Sequence, residues 1–228
     1  MPTTPFMFHL ATLIDRQLEV TRDPFVLQIG AMDGVQYDPI HPFLKKGGWS
    51  GLLVEPLPDL FAALVDNYRG VTGLRFANVA ISDHEGSLSL NRVDPAAIRS
   101  GAAPDWTIGV SSMFEDRNSI GGVKISAVDY ERIRPHLVKQ TVASTTLASL
   151  LRSHDVDHID LLQIDAEGYD YQVLKQLDFD RFRPSIVHLE HYLLPPAEQE
   201  ACFALLLRNG YVLGVRDIDL VATTLLNP

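Results

Sequence analysis

Two groups of side chains in this sequence have the types and spacing for chemistry. The first is the turn Gly30-Ala31-Met32-Asp33-Gly34, which interrupts the apolar run Pro24 to Ile29. Glycines there let backbone approach a ligand closely. Glu55 ends the next apolar run, Gly51 to Val54, 21 positions beyond Gly34. A carboxylate about 20 residues past such a turn can hold a ribose, since two acceptor oxygens match two neighbouring hydroxyls. The turn lacks the three-glycine spacing of a pyrophosphate loop, and Asp33 would repel phosphate, so the pattern suits a nucleoside with a positive or zwitterionic end better than a dinucleotide. The bland alternative is a plain turn with Glu55 as a solvated strand end.

The second group is Asp165, after the run Ile159 to Ile164, with Glu190 and His191, after Ser185 to Leu189. Side chains at the carboxyl ends of parallel strands face the ligand crevice of an open α/β sheet. His191, with an ordinary pKa near 6.5, suits a general base. Asp165 and Glu190 could instead hold Mg²⁺ through oxygen, binding an acceptor hydroxyl and lowering its pKa. Capping of a strand end is the bland reading for Glu190 and His191. His188, inside an apolar run, reads as a core histidine, and Cys202, among Phe203 and Leu205 to Leu207, as core packing. Glu167 and Asp170 open a helix, where carboxylates are favoured by the helix dipole. Ser111 to Phe114 reads equally as an ordinary turn or a contact to a ligand.

Strand-like and helical segments must position these groups. After Pro24 to Ile29 and Gly51 to Val54 comes helical spacing over Asp59 to Tyr68, and a further helix near Tyr171 to Leu177 separates the two later runs. Apolar runs without polar alternation suit a parallel sheet covered on both faces. Phe76 to Ile81 with Gly86 to Leu90, and Tyr211 to Val215 with Leu220 to Thr224, read as two hairpins, the second at one edge of the sheet. Helical spacing also spans Phe8 to Leu18 within an N-terminal segment of residues 1–23, and Thr145 or Thr146 can cap a helix over Leu147 to His154. Between Val93 and Val128 periodicity fades, and this stretch reads as an insertion (93–128) over the site.

The composition narrows the partners. A chain of 228 residues buries roughly 70% of its unfolded surface, enough for one core and one domain over 1–228. A formal charge of −10 disfavours nucleic acid and anionic membranes. One cysteine, no signal-like start and no run long enough to cross a bilayer fit a cytoplasmic protein. A homo-oligomer is compatible with all of this.

S-adenosylmethionine meets the requirements of the first group: a ribose for a carboxylate, an adenine for an apolar slot, and amino and sulfonium groups tolerant of acidic neighbours such as Asp33. The blocks Gln28 to Gly34, Leu53-Val54-Glu55-Pro56, Asn78 to Ser82 and Ile164-Asp165-Ala166-Glu167-Gly168-Tyr169-Asp170, with Thr146 to Leu151, follow one another as in the FkbM family of S-adenosylmethionine-dependent methyltransferases, which the chain resembles from about residue 26 to 191. The resemblance implies a class I methyltransferase fold: a Rossmann-like, mostly parallel seven-stranded sheet with an antiparallel terminal hairpin and helices on both faces. It implies methyl transfer to a hydroxyl of a small sugar-like or natural-product acceptor. By the same resemblance Gly30, Ala31 and Gly34 line the methionine end, Glu55 holds the ribose, and Asn78, Val79 and Ala80 border the adenine; Asp165, by its place at a strand's carboxyl end, lies where cofactor and acceptor meet. Gln28 stands where related enzymes often carry an acid toward the methionine amino group. Two other readings remain at this point: a non-catalytic nucleoside-binding or regulatory module on the same fold, and a nicotinamide-dependent oxidoreductase, which the missing glycine spacing disfavours.

Overall fold

Apolar five-residue runs bounded by turn residues form the centre of the structure, a computed structural model that describes residues 9–114 and 125–226. Strands β1 (Phe25–Ile29), β2 (Ser50–Val54) and β3 (Leu74–Ala77) alternate with helices α1 (Leu10–Val20), α2 (His41–Lys46) and α3 (Pro58–Asn67). Then come β4 (Ala80–Ile81), β5 (Gly86–Val93), α4 (Pro95–Arg99), β6 (Ser111–Ser112), α5 (Ala127–Ile133) and β7 (Leu137–Thr145). The chain finishes with α6 (Leu147–Ser153), β8 (Leu161–Ile164), α7 (Asp170–Leu174), β9 (Ile186–Glu190), α8 (Pro196–Arg208), β10 (Val212–Arg216) and β11 (Asp219–Thr223).

Seven strands form one sheet in the order β10-β11-β9-β8-β1-β2-β3. From β9 to β3 every pair is parallel, and β11 runs antiparallel to both β9 and β10. The expected terminal hairpin at the edge is therefore present, with β11 inserted next to β9. All five residues of β1 are buried, as strands covered on both faces require. On one side Leu27, Ile29, Leu162, Ile164 and Val187 pack with α6 and α8 residues such as Leu147, Leu151 and Leu206; on the other Val26, Leu53, Leu161 and Ile186 meet Ile14, Leu44 and Tyr68. Helix α1 is tied to the strand starts by Asp160, which accepts from Gln17 Nε2 and from the Phe25 N–H, both at 2.8 Å.

The other proposed hairpin is not formed. β3 belongs to the main sheet, while β4 and β5 join a separate four-stranded sheet, order β4-β7-β5-β6, and are held apart by β7. β7 pairs antiparallel with β5 over eight residues, from Gly86↔Ser144 to Val93↔Leu137, and parallel with β4. Long-range partners outcompete the local turn because this pairing supplies a full ladder and buries Leu90 and Val142 against Leu57, Leu60 and Ala80. Arg92, buried on β5, clamps this sheet to α3 through both oxygens of Asp59, at 2.6 and 2.9 Å.

Helix α1 ends at Val20, two residues beyond the expected Leu18; Phe8 and the rest of 1–8 lie outside the described residues. Thr146, not Thr145, caps α6, its hydroxyl accepting the Ser149 N–H, and α6 stops at Ser153, one residue short of His154. Segment 93–128 holds α4, a short 3-10 turn at Asp105–Ile108 and β6; of it, 115–124 lies outside the described residues.

Candidate functional site

The carboxyl ends of β1, β2, β8 and β9 open into a cavity of about 630 Å³, within the size range of small-molecule sites. Gly30 forms its floor at the exit of β1. At φ +79 it adopts a backbone that favours glycine, and an added Cβ would stand 1.8 Å from the Asp165 carbonyl oxygen, so no other residue fits. The Asp165 N–H donates to the Ile29 carbonyl at 2.9 Å, which locks the two strand ends together.

Glu55 is buried on the cavity wall between two turns: Oε2 accepts from the Met32 N–H at 2.9 Å and Oε1 from the Leu57 N–H at 2.8 Å. An ionised carboxylate offers about four lone-pair positions, so each oxygen keeps one for a further donor. Burial outweighs these two N–H bonds and pushes the Glu55 carboxyl up to about 8. Beside it Val54, Val79, Ala80 and Ile81 make an apolar slot. Asn78 is exposed and does not line the cavity; its amide donates to the carbonyls of Glu55 (2.8 Å) and Pro56 (3.0 Å) and so braces the β2 turn.

The acidic end is built by β8, β9 and β11. Asp165, Glu167, Glu190 and Asp219 all line the cavity, and Asp219 sits in register with Glu190 across the β11–β9 pair. Asp165 is open to the cavity yet enclosed by protein; burial first, then the charges of Asp219 and Asp38, raise its carboxyl above the ordinary carboxylate range. Glu167 and Asp170 are raised well above theirs, by burial and then by their acidic neighbours, Asp165 and Glu190 among them. Asp170, fully buried, accepts from the Gly168 N–H at 3.3 Å and the Ala166 N–H at 3.5 Å, which shapes the loop that presents Glu167 at φ +49.

Five other sequence candidates lie off the wall. Asp33 is spent on its own turn, accepting from the Val35 and Gln36 N–H groups and from Gln36 Nε2. Gly34 is demanded by packing, since an added Cβ would come within 2.5 Å of Leu64 and Tyr68. Ala31 is buried in the same cluster. Gln28 lies one pleat below the mouth and is buried. The expected base, His191, turns away, its ring edge-on to Phe203 at 5.6 Å.

The imidazole on the wall is His188, expected only in the core. It is buried, its Nε2 lies 3.7 Å from Asp219, and burial pulls its pKa down to about 4. Gln163, unremarked in the sequence, also lines the cavity. The strand registers place Gln28, Gln163 and His188 in one row across β1, β8 and β9. Each leaves a buried atom without a hydrogen-bond partner among the described residues: Gln28 Oε1, Gln163 Oε1 and His188 Nδ1. Parity would have found this row, because His188 is two residues from Glu190 and shares its face, whereas His191 does not.

Asp165 and Glu190 share the cavity as the Mg²⁺ reading requires, but among the described residues no group of three His, Cys, Asp or Glu side chains converges to hold a metal ion. A hard cation needs several oxygen ligands, and the metal reading goes no further. Trp106, Gly109, Val110, Ser111 and Met113 from the irregular segment form the opposite wall. No helix among the described residues is long and apolar enough to cross a membrane.

The sequence matches the family model of the methyltransferase FkbM domain over residues 28–213. Among curated proteins none matches the chain. Among solved structures, methyltransferase FkbM from Methylobacillus flagellatus KT is similar at 11% identity and a TM-score of 0.52, covering 88% of this chain and 44% of that one. The chain thus spans less than half the length of that protein, and the likeness is one of fold. Precorrin-6y C5,15-methyltransferase from Geobacter metallireducens GS-15 is similar at 11% identity and a TM-score of 0.43, covering 93% of this chain and 86% of that one. A ribosomal protein L11 methylase from Lactobacillus delbrueckii subsp. bulgaricus shows 13% identity and a TM-score of 0.42, covering 93% and 74%.

Proposed function

The chain belongs to the FkbM methyltransferase family, and from that premise we propose that it moves a methyl group from S-adenosylmethionine to a hydroxyl of a small sugar-like or natural-product acceptor. The observation that carries this reading is Glu55, a buried carboxylate fixed by two backbone N–H groups with one acceptor position left on each oxygen, beside an apolar slot. The cavity fits the group: ribose hydroxyls for Glu55, a flat base for Val79 and Ala80, and a cationic end for the carboxylates beyond Gly30. No lysine or arginine appears on the wall among the described residues, which fits a nucleoside better than a pyrophosphate-bearing dinucleotide.

When bound, S-adenosylmethionine supplies an electrophilic methyl whose bond to sulfur breaks, with the electron pair going to sulfur, as the acceptor oxygen forms its bond to carbon. The chain's own residues hold and deprotonate the acceptor. In this reading Asp165 and Glu190, which line the cavity, hold the acceptor hydroxyl, and the raised affinity of Asp165 for protons makes it a better base than an ordinary aspartate. Gly30 and the locked ends of β1 and β8 fix the angle between the two halves of the cavity, which matters because displacement needs alignment.

Calorimetric titration with S-adenosylmethionine is the test. Binding with turnover of a hydroxylated acceptor supports the enzyme; binding without transfer to any member of a hydroxyl library favours a nucleoside-binding module; no binding heat removes both. NAD binding in its place would revive the oxidoreductase.

A further inference from the structure

The cavity passes over the carboxyl ends of the strands from one face of the sheet to the other. Ile29, Val54, Ile81 and Ile164 on its wall belong to the apolar layer shared with α6, and the slot beside Glu55 is made mostly on that side. Gln163, between Leu162 and Ile164, and His188, between Val187 and Leu189, point the opposite way, to the face where Leu161 and Ile186 pack with α1. The two are register neighbours on β8 and β9, so their backbones stand about 4.8 Å apart.

Both line the cavity, both are more than nine-tenths buried, and each keeps a buried polar atom, Gln163 Oε1 and His188 Nδ1, without a hydrogen-bond partner among the described residues. Buried amides and imidazoles are ordinarily paired, and apolar side chains such as Leu161 and Ile186 one pleat below would fill this wall with nothing to satisfy. The pair therefore marks a place where the cavity takes a polar group. Its character decides which one. The amide is uncharged, and burial keeps the imidazole neutral near pH 7. An ionic group would lose its hydration and gain two uncharged partners, which is unfavourable, and Asp219, 3.7 Å from His188 Nε2, works against a carboxylate there. A half-turn about the last side-chain bond exchanges the oxygen and nitrogen of the amide, or the two edges of the ring, so the pair can both donate and accept, as a hydroxyl does. Asp165 and Glu190 follow two residues later, about 6–7 Å nearer the mouth, so a single six-membered ring can reach both levels. The donor's amino-acid end, charged at its amino and carboxyl groups, suits the pair less well than an uncharged acceptor hydroxyl.

We propose that Gln163 and His188 form a subsite for a second, non-reacting hydroxyl of the acceptor, so that the chain selects a ring carrying several hydroxyls over a lone alcohol. The proposal rests on the methyltransferase reading and narrows its acceptor class to neutral polyols. A lone alcohol would leave the buried amide and imidazole unpaired, and sites built in this way reject the analogue that lacks the hydroxyl.

The test uses the full chain saturated with S-adenosylhomocysteine and two neutral six-membered-ring probes, myo-inositol and cyclohexanol. Calorimetry should show inositol binding at least tenfold tighter than cyclohexanol. In the natural chain inositol, and not cyclohexanol, should shift the ring-nitrogen resonances of His188 in NMR spectra. Gln163→Met and His188→Phe should each lower the ratio of inositol to cyclohexanol affinity at least fivefold; because a ratio within one variant is read, a general loss of affinity does not imitate the result. Equal binding of the two probes, no binding of inositol, unmoved His188 resonances, or a ratio that either substitution leaves unchanged overturns the proposal. So does weakened binding of S-adenosylhomocysteine by the variants with undiminished binding of 5′-methylthioadenosine, which lacks the amino-acid end, because the pair would then hold the donor. Failure of S-adenosylhomocysteine to bind the natural chain at the outset would instead overturn the methyltransferase reading.

Discussion

The two faces of the central sheet are made by alternate residues of the same strands, yet they differ in kind. On one face Leu27, Ile29, Leu162, Ile164, Val187 and Leu189 pack into an apolar layer under α6 and α8. On the other, Val26, Leu161 and Ile186 begin in the same way, but the next pleat carries Gln28, Gln163 and His188 and the next again Asp165 and Glu190. Burial is equally deep on both faces up to the mouth, so it does not separate them. What separates them is satisfaction: the apolar layer has nothing to satisfy, and the polar row keeps partnerless atoms under an acidic cavity. The first face is a core, and the second is the wall of a cavity.

That contrast can be broken by substitutions whose effects should fall in opposite places. The largest is Asp165→Asn, expected to lower turnover by about 10²–10⁴-fold, the usual range for a positioned base, with the unfolding midpoint unchanged or raised because a charge crowded by other acids is removed. A large fall in midpoint would place Asp165 among the structural residues. Next, Leu162→Ala on the apolar face should cost about 3 kcal/mol of stability while the folded fraction keeps its affinity for S-adenosylmethionine, measured by denaturant unfolding and calorimetry. Glu55→Ala should raise the cofactor dissociation constant about tenfold or more, a loss of roughly 1–3 kcal/mol for ribose donors left without their buried partner; unchanged affinity would remove its ribose role. Smallest is Gln163→Leu, which replaces an incompletely satisfied polar group and should leave stability within about 1 kcal/mol, yet slow transfer.

Titration sharpens the same comparison. Glu55 has its folded pKa raised from 4.5 to about 8, so the stability it lends is complete below about pH 4.5 and lost as pH rises through about 8. His188 has its own lowered from 6.5 to about 4, so its contribution is complete above about pH 6.5 and lost as pH falls through about 4. Thermal midpoints of the ligand-free protein should decline on both sides; Glu55→Gln should shrink the alkaline decline, to which the raised carboxyls of Asp165, Glu167 and Asp170 also contribute, and leave the acid one, and a midpoint curve indifferent to that substitution would contradict the assignment.

Local pattern made most of the main sheet legible. Unbroken apolar runs announced β1, β2, β8 and β9, and the paired runs Tyr211 to Val215 and Leu220 to Thr224 announced the closing hairpin. β7 escaped because Leu137 to Thr145 carries Lys139, Gln140, Thr141 and Ser144, with only Val142 and Ser144 buried, so neither an apolar run nor a clean alternation is seen. Its insertion between β4 and β5 is a long-range choice that no turn between them reveals. Gly30, Glu55, Asp165 and Glu190, marked by their places at run ends, line the cavity, whereas Asp33 and Gly34 share the same glycine-rich stretch but serve turn and packing. His191, expected as a base, packs against Phe203, and His188, expected in the core, lines the cavity, because the strand's two-residue period puts His188 and Glu190 on one face.

The contact of Gly30 with the Asp165 carbonyl, with Asp165 in turn hydrogen-bonded to Ile29, leaves the two halves of the cavity no independent adjustment. For anyone redesigning acceptor choice, the consequence is a rule of inheritance. Walls contributed by the irregular segment, such as Trp106 and Met113, can be exchanged piecemeal, whereas a shift in the β8 turn is transmitted to the donor's floor, so those two turns must be transplanted as one part.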